Sequence, residues 1–215
     1  MATAIIGVGN LGGTVARHLV AGDEHVVLAA HDEKHAETLA SELGPNATAA
    51  SVDEAIADAD VVVLATWLDQ TRELAPTVAP LLENKIVVDP SNPIAVDEKG
   101  QLTRTLPKGQ SAASVVAGLL PESVHFVKAF GSLGAIEQLA TSANRNPRVV
   151  LFYATDDAAA EAAAQRLIRA AGFEPLKVGG LSDAARIEGP DGELQGQIFD
   201  LDEARAVVAT EGVQA

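Results

Sequence analysis

The sequence predicts an α/β fold, a doubly wound and mostly parallel sheet extended by further strands after residue 120. Three observations predict it. Short apolar runs alternate with helix-period segments through the first 90 residues, the order that builds parallel βα units. The run Val61-Val62-Val63-Leu64-Ala65 is apolar at every position, so neither face of that strand meets water, as in a sheet covered on both sides. A glycine-rich turn joins the first strand to the first helix.

Taken in order, Ala4-Ile5-Ile6 is the first strand, and Gly7-Val8-Gly9-Asn10-Leu11-Gly12 follows at once. A helix comes next, with Val15, Leu19 and Val20 on one face. Strand, GxGxxG and helix, in that order, suit the pyrophosphate of a dinucleotide and mark the sheet as Rossmann-type. Gly7 permits the tight turn, Gly9 lets the backbone approach the phosphates, and Gly12 lets the helix pack close to the strand. Free N–H groups at the helix start, from Asn10 and Leu11 onward, face the anion.

His25 to Ala30 reads as the second strand, and Glu33 to Leu43 as a helix ended by Gly44-Pro45. Asn46 to Ala50 is a short strand, Val52 to Ala59 a short helix, and Val61 to Ala65 the buried strand. Leu68 to Leu82 is helical but broken by Pro76 and Pro80, and Lys85 to Val88 is another buried strand. Residues 94–110 read as a polar loop, and Ser111 caps a helix through Leu120. His125 to Ala129 is a strand and Ala135 to Ala140 a short helix. Arg148 to Ala154 is a strand, and an Ala-rich helix capped by Asp156 runs to Ala171. Phe173 to Val178 is the last strand. Residues 1–190 thus form one dinucleotide-binding domain with a C-terminal sheet extension, and 191–215 an acidic tail not expected to be ordered.

Composition narrows the function. A net charge of −15 and a pI near 4.6 argue against nucleic acid or an anionic membrane as partner, while leaving room for a local basic pocket. With no Cys, thiolate chemistry and Cys–metal sites are excluded. The N-terminus enters the first strand without a basic leader, and no apolar run reaches membrane length, so a cytoplasmic protein is expected.

Candidate site residues cluster at expected strand ends. Ala65-Thr66-Trp67 and Asn92-Pro93 each close a buried strand at the carboxyl edge, where ligands bind in doubly wound sheets. Trp67, the sole Trp, offers a flat face to a ring or packs a loop. Asn92 hydrogen-bonds a carboxamide or ribose, or makes an Asx turn, and Pro93 stiffens the loop. Lys128 pairs with an acidic substrate or a phosphate, or is a surface cation; Phe130 lines the cleft with Leu133, or packs in the core, and Ser132 follows at the same edge. Asp32 has two readings, a ribose-diol ligand 20 residues after Gly12 or the N-cap of the next helix. His31, Lys34 and His35 come together in that helix's first turn and can face an adenosine 2′-phosphate, or be solvated side chains. His31 and His35 have no evident third metal ligand, so no metal site is expected, and no general acid or base stands out.

The stretches GVGNLG, EKHAE, DADVVVLATW, KIVVDPSNP, SAASVVAGLLP, VKAFGSLGA, YATDD and VGGLSDAARIE, in this order over roughly residues 2–190, resemble the NADPH:deazaflavin oxidoreductases and their short NADP oxidoreductase relatives. The resemblance implies hydride transfer between NADP(H), with NAD(H) as the other candidate, and a deazaflavin held ring to ring at the C-terminal strand ends. The chain departs from that pattern in having Ala30-His31-Asp32 where Ser-Arg or Arg-Arg is usual, and Gly131-Ser132 where KAF often continues Asn-Thr. Reduction of a small C=N or C=O substrate and NADP(H) binding without turnover are the alternative readings. With little chain left for a lid, a shallow cleft suited to a flat small-molecule redox partner is expected, which a second copy in a homodimer can close.

Overall fold

The computed structural model describes residues 1–97, 100–133 and 136–211. Strands and helices alternate through β1 (Thr3–Ile6), α1 (Asn10–Ala21), β2 (Val26–Ala29), α2 (Glu33–Leu43), β3 (Ala47–Ala49), α3 (Val52–Asp58), β4 (Val61–Leu64), α4 (Leu68–Leu82) and β5 (Ile86–Asp89), and the short pair β6 (Ile94–Val96) and β7 (Leu102–Arg104) follows. Then come α5 (Ala112–Ala117), β8 (His125–Lys128), α6 (Ile136–Ser142), β9 (Val150–Ala154), α7 (Ala158–Ala170), β10 (Glu174–Gly179), a 3-10 segment Leu181–Ile187 and α8 (Leu201–Glu211).

One eight-stranded sheet runs in the order β10-β9-β8-β5-β4-β1-β2-β3. Strands β3 through β8 in that row pair in parallel, β9 turns antiparallel to β8 through Lys128↔Ala154, and β10 follows β9 in parallel. The sheet is therefore mostly parallel and extended after residue 120, as the apolar runs predict. Its two faces bury separate layers. Ile5, Val61 and Val63 look toward α1, α2, α6 and α7, while Ala4, Ile6, Val62 and Leu64 look toward α3, α4, α5 and α8. The alternation along each strand sends neighbouring residues to opposite layers, which is why polar residues are missing from β4.

Four expectations are corrected. Pro76 and Pro80 do not break α4, which is continuous over Leu68–Leu82. Both rings are exposed, so the carbonyls they leave unbonded, those of Arg72 and Pro76, lie on the water-facing side. The segment 94–110 is not all loop. Ile94–Val96 and Leu102–Arg104 pair antiparallel as an arm standing off the main sheet; the pattern is too short and too polar to announce itself, and residues 98 and 99 lie outside those described. Asp157, not Asp156, caps α7 by accepting from the Ala160 N–H at 2.8 Å. The hydrogen bond with the His125 ring, helped by that N–H, holds the Asp157 carboxyl below its ordinary range. Finally, residues 201–211 of the expected tail form a helix with Ala204 fully buried against the sheet. Residues 212–215, and Ala135 at the expected start of α6, lie outside the described residues.

Candidate functional site

The carboxyl ends of β1, β4, β5 and β8 open into one cleft of about 520 Å³. That volume falls in the range of small-ligand and cofactor pockets. Gly7, Gly9, Asn10 and Leu11 form one wall, Ala65, Thr66 and Trp67 the second, Ser91 and Asn92 the floor, and Phe130 and Leu133 the third wall.

The glycine turn divides its labour among three positions. Gly7 adopts φ +94°, and a Cβ there would lie 2.7 Å from the Ala65 carbonyl oxygen. Gly12 is tighter still, since a Cβ would lie 1.9 Å from the Gly7 carbonyl oxygen. Gly12 lines no cleft; it lets α1 lie on the turn. Gly9 is the opposite case, with nothing within 4 Å of its would-be Cβ. It stands at the α1 N-cap, and the first-turn N–H groups of Asn10, Leu11 and Gly12 have no intrahelical acceptor. Open space beside unpaired donors fits an anion such as a pyrophosphate.

Trp67 is 53% exposed and heads α4. Its carbonyl accepts from the Thr71 hydroxyl at 3.1 Å, and Thr71 meets the Thr66 hydroxyl at 2.7 Å, so the backbone under the indole is fixed. On the floor, Asn92 Nδ2 donates to the Gly131 carbonyl at 3.0 Å and its Oδ1 accepts from the Gly189 N–H at 2.9 Å. The Asn92 amide therefore ties three chain segments together, and Pro93 does not line the cleft. Gly131 is required here, because a Cβ would come within 2.5 Å of the Pro90 carbonyl oxygen. Phe130 sits at φ +65°, a conformation that costs a non-glycine residue about 1 kcal/mol or more and that recurs at ligand sites. Ser91 Oγ is buried and has no hydrogen-bond partner among the described residues, a polar group without a partner at the cleft floor.

Two of the residues expected to meet the substrate do not line the cleft. Lys128 is not a surface cation and does not line the cleft: it is 0% exposed, with Nζ 3.0 Å from Asp89 Oδ2 and 3.4 Å from Glu188 Oε1, and it also donates to the Ser91 carbonyl. All three ammonium hydrogens are thereby engaged beneath the floor. Glu188 in turn accepts from the Ala112 and Ala113 N–H groups at 2.6 and 2.9 Å. Ser132 is 1% exposed and its Oγ accepts from the Phe152 N–H, so it faces the interior. Asp32 takes the capping role, accepting from the Lys34 N–H at 3.2 Å. His31 and Lys34 are exposed and line neither cavity; His35 lines a second cavity between α1 and α2.

Sequence reasoning missed Ser91, Gln70 and Leu139, and also Ile94, Leu102 and Ile136 on the rim. Ser91 had a signal, lying between Asp89-Pro90 and Asn92-Pro93 at an expected strand end. Ile94 and Leu102 enter through the β6–β7 arm, which supplies the wall that a lidless cleft was expected to lack.

Residues 2–93 match the family described as NADP oxidoreductase, coenzyme F420-dependent. This stretch carries the glycine turn, Trp67 and Asn92, so the sequence resemblance holds where the cleft is built. The chain is 30% identical over 184 residues to metalloreductase STEAP3 of Rattus norvegicus, matching 86% of this chain but spanning only 35% of that protein's length. Among solved structures it resembles the hypothetical protein SMa0349 of Sinorhizobium meliloti, with a TM-score of 0.81 and 25% identity over 93% of this chain and 95% of the other. It also resembles a protein from Arthrobacter sp. FB24 whose name assigns it F420-dependent NADP reduction, with a TM-score of 0.72 and 23% identity over 85% of this chain and 86% of that one. At that identity the second likeness is one of fold. No helix among the described residues is long and apolar enough to cross a membrane.

Proposed function

We propose that this chain transfers hydride between NADP(H) and a planar small-molecule redox partner, a deazaflavin being the leading candidate. One observation carries the reading: the cleft joins an anion-binding turn to an apolar chamber walled by Trp67, Phe130, Leu133, Ile94 and Leu102. The match of residues 2–93 to the F420-dependent NADP oxidoreductase family supports both halves of it.

The residues present suit a bound dinucleotide. Gly9 leaves the space and the first turn of α1 the donors for a pyrophosphate, and the nicotinamide end falls in the apolar chamber. The bound cofactor would supply the hydride; the protein supplies alignment and dryness. Trp67 and Phe130 give flat apolar surfaces against which rings stack. Ser91 Oγ, buried and without a partner among the described residues, is a polar group at the floor that a small rotation would offer to a polar ring edge. No side chain is needed as general acid or base for a direct hydride step.

The test is a titration with NADPH and NADH followed by turnover with a deazaflavin, repeated on Trp67→Ala. Turnover should fall by about tenfold or more while NADPH affinity changes by less than about threefold, since a lost stacking surface disturbs alignment before it disturbs pyrophosphate binding. Equal losses in both would make Trp67 a cofactor contact. A folded protein that binds NADPH but turns over no planar acceptor would replace this reading with binding alone.

A further inference from the structure

A second cavity of about 260 Å³ opens between α1 and α2. Gly9 and Asn10 line both this cavity and the main cleft, so the two are successive parts of one path around the glycine turn. The other lining side chains include Thr14 and Arg17 from α1 and His35 from α2. Of all the residues lining it, Arg17 is the one with a permanent positive charge. In a chain of net charge −15, a guanidinium facing a cavity beside a phosphate-type turn calls for a reason.

We propose that this cavity receives a phosphomonoester, the 2′-phosphate of the adenosine ribose, and that Arg17 is the side chain that distinguishes NADP(H) from NAD(H). The inference rests on the proposed nucleotide site and deepens it. Three observations support Arg17 over the segment after β2. Asp32 has its carboxylate committed to capping α2 at the Lys34 N–H. His31 and Lys34 are exposed and outside the cavity. Arg17 meets Glu42 Oε2 at 2.7 Å, but the two side chains are 54% and 52% exposed. A pair so open to water is weakly held, and a dianionic phosphate with its fork-matched oxygens competes well for the guanidinium. Thr14 donates its hydroxyl hydrogen to the Asn10 carbonyl at 2.8 Å, which leaves the phosphate to be met by Arg17, by His35 and by backbone N–H groups. Glu42 then acts as a resting partner that holds the guanidinium near the cavity before the nucleotide arrives.

The experiment titrates wild type, Arg17→Ala, Arg17→Lys and Glu42→Gln with NADPH and NADH, and competes NADPH off with 2′-AMP and with 5′-AMP. Arg17→Ala should weaken NADPH by about tenfold or more and NADH by less than about twofold, with Arg17→Lys in between. In wild type 2′-AMP should compete better than 5′-AMP, and that advantage should vanish in Arg17→Ala. Glu42→Gln should leave NADPH as tight or tighter. Equal weakening of both nucleotides by Arg17→Ala, no weakening of either, or a wild type that prefers NADH would overturn the assignment of Arg17. A folded wild type that binds neither nucleotide would instead remove the nucleotide site itself, so the two failures are distinguishable. Inorganic phosphate serves as the remaining arm: if it matches 2′-AMP as a competitor, the cavity is a simple anion site and the ribose assignment falls.

Discussion

Replacing Lys128 with methionine should lower the stability of the fold by about 3–5 kcal/mol, the usual cost of stranding buried carboxylates. Methionine fills much the same volume, so the loss is electrostatic rather than a cavity. Asp89, Glu188 and Lys128 are each at most 1% exposed, so bulk solvent does not reach the carboxylates left behind. The Ser91 carbonyl loses its donor as well, loosening the cleft floor. Asp89→Asn should also destabilise, because the amide returns the Ser91 N–H contact but offers Lys128 no charge. Combining the two should cost less than their sum by about 1–3 kcal/mol, the signature of a direct pair. Urea unfolding at fixed pH, with unchanged m-values, measures all three. Strict additivity, or a Lys128→Met loss below about 1 kcal/mol, would show that the buried triad does not hold the floor.

Two glycines of one motif should fail in opposite ways. Gly12→Ala places a methyl 1.9 Å from the Gly7 carbonyl oxygen and 3.0 Å from the Ala65 side chain, both fixed by the strands beneath. It should cost about 3 kcal/mol of stability, because α1 must lift off the turn to make room. Gly9→Ala meets nothing within 4 Å and should leave the unfolding midpoint almost unchanged. Gly9→Val should likewise fold, yet weaken either nucleotide by tenfold or more, about 1.4 kcal/mol, by filling the space left for the pyrophosphate. Paired unfolding curves and NADPH titrations separate these effects. A folded Gly9→Val with an unchanged dissociation constant would move the nucleotide away from this turn.

Much of this was legible before any coordinates. The glycine turn, the all-apolar β4 and the strand ends at Thr66-Trp67 and Asn92 are local signals, and each depends on neighbours in sequence. What stayed hidden depends on partners far along the chain. Lys128 reads as a surface cation until Asp89 and Glu188 are seen around it. Arg17 carries no local signal in the sequence and lines a cavity only because α2 packs beside α1. The β6–β7 arm has three-residue strands carrying Thr103 and Arg104, too brief for any period to show. Pro76 and Pro80 misled for a simpler reason: proline opposes helix propagation, but its cost depends on whether the orphaned carbonyls can reach water.

The cleft floor also has a history within each act of synthesis. Asn92 is held by Gly131 and Gly189, and Lys128 joins Asp89 to Glu188, so the floor is stitched from three stretches that leave the ribosome at different times. The glycine turn and its two flanking elements emerge before these stretches and depend on close neighbours. A nascent chain halted before residue 188 therefore carries a finished glycine turn above a floor whose lysine and aspartate still lack their third member. The glycine turn is thus complete well before the floor, which closes only when Glu188 and Gly189 reach Lys128 and Asn92.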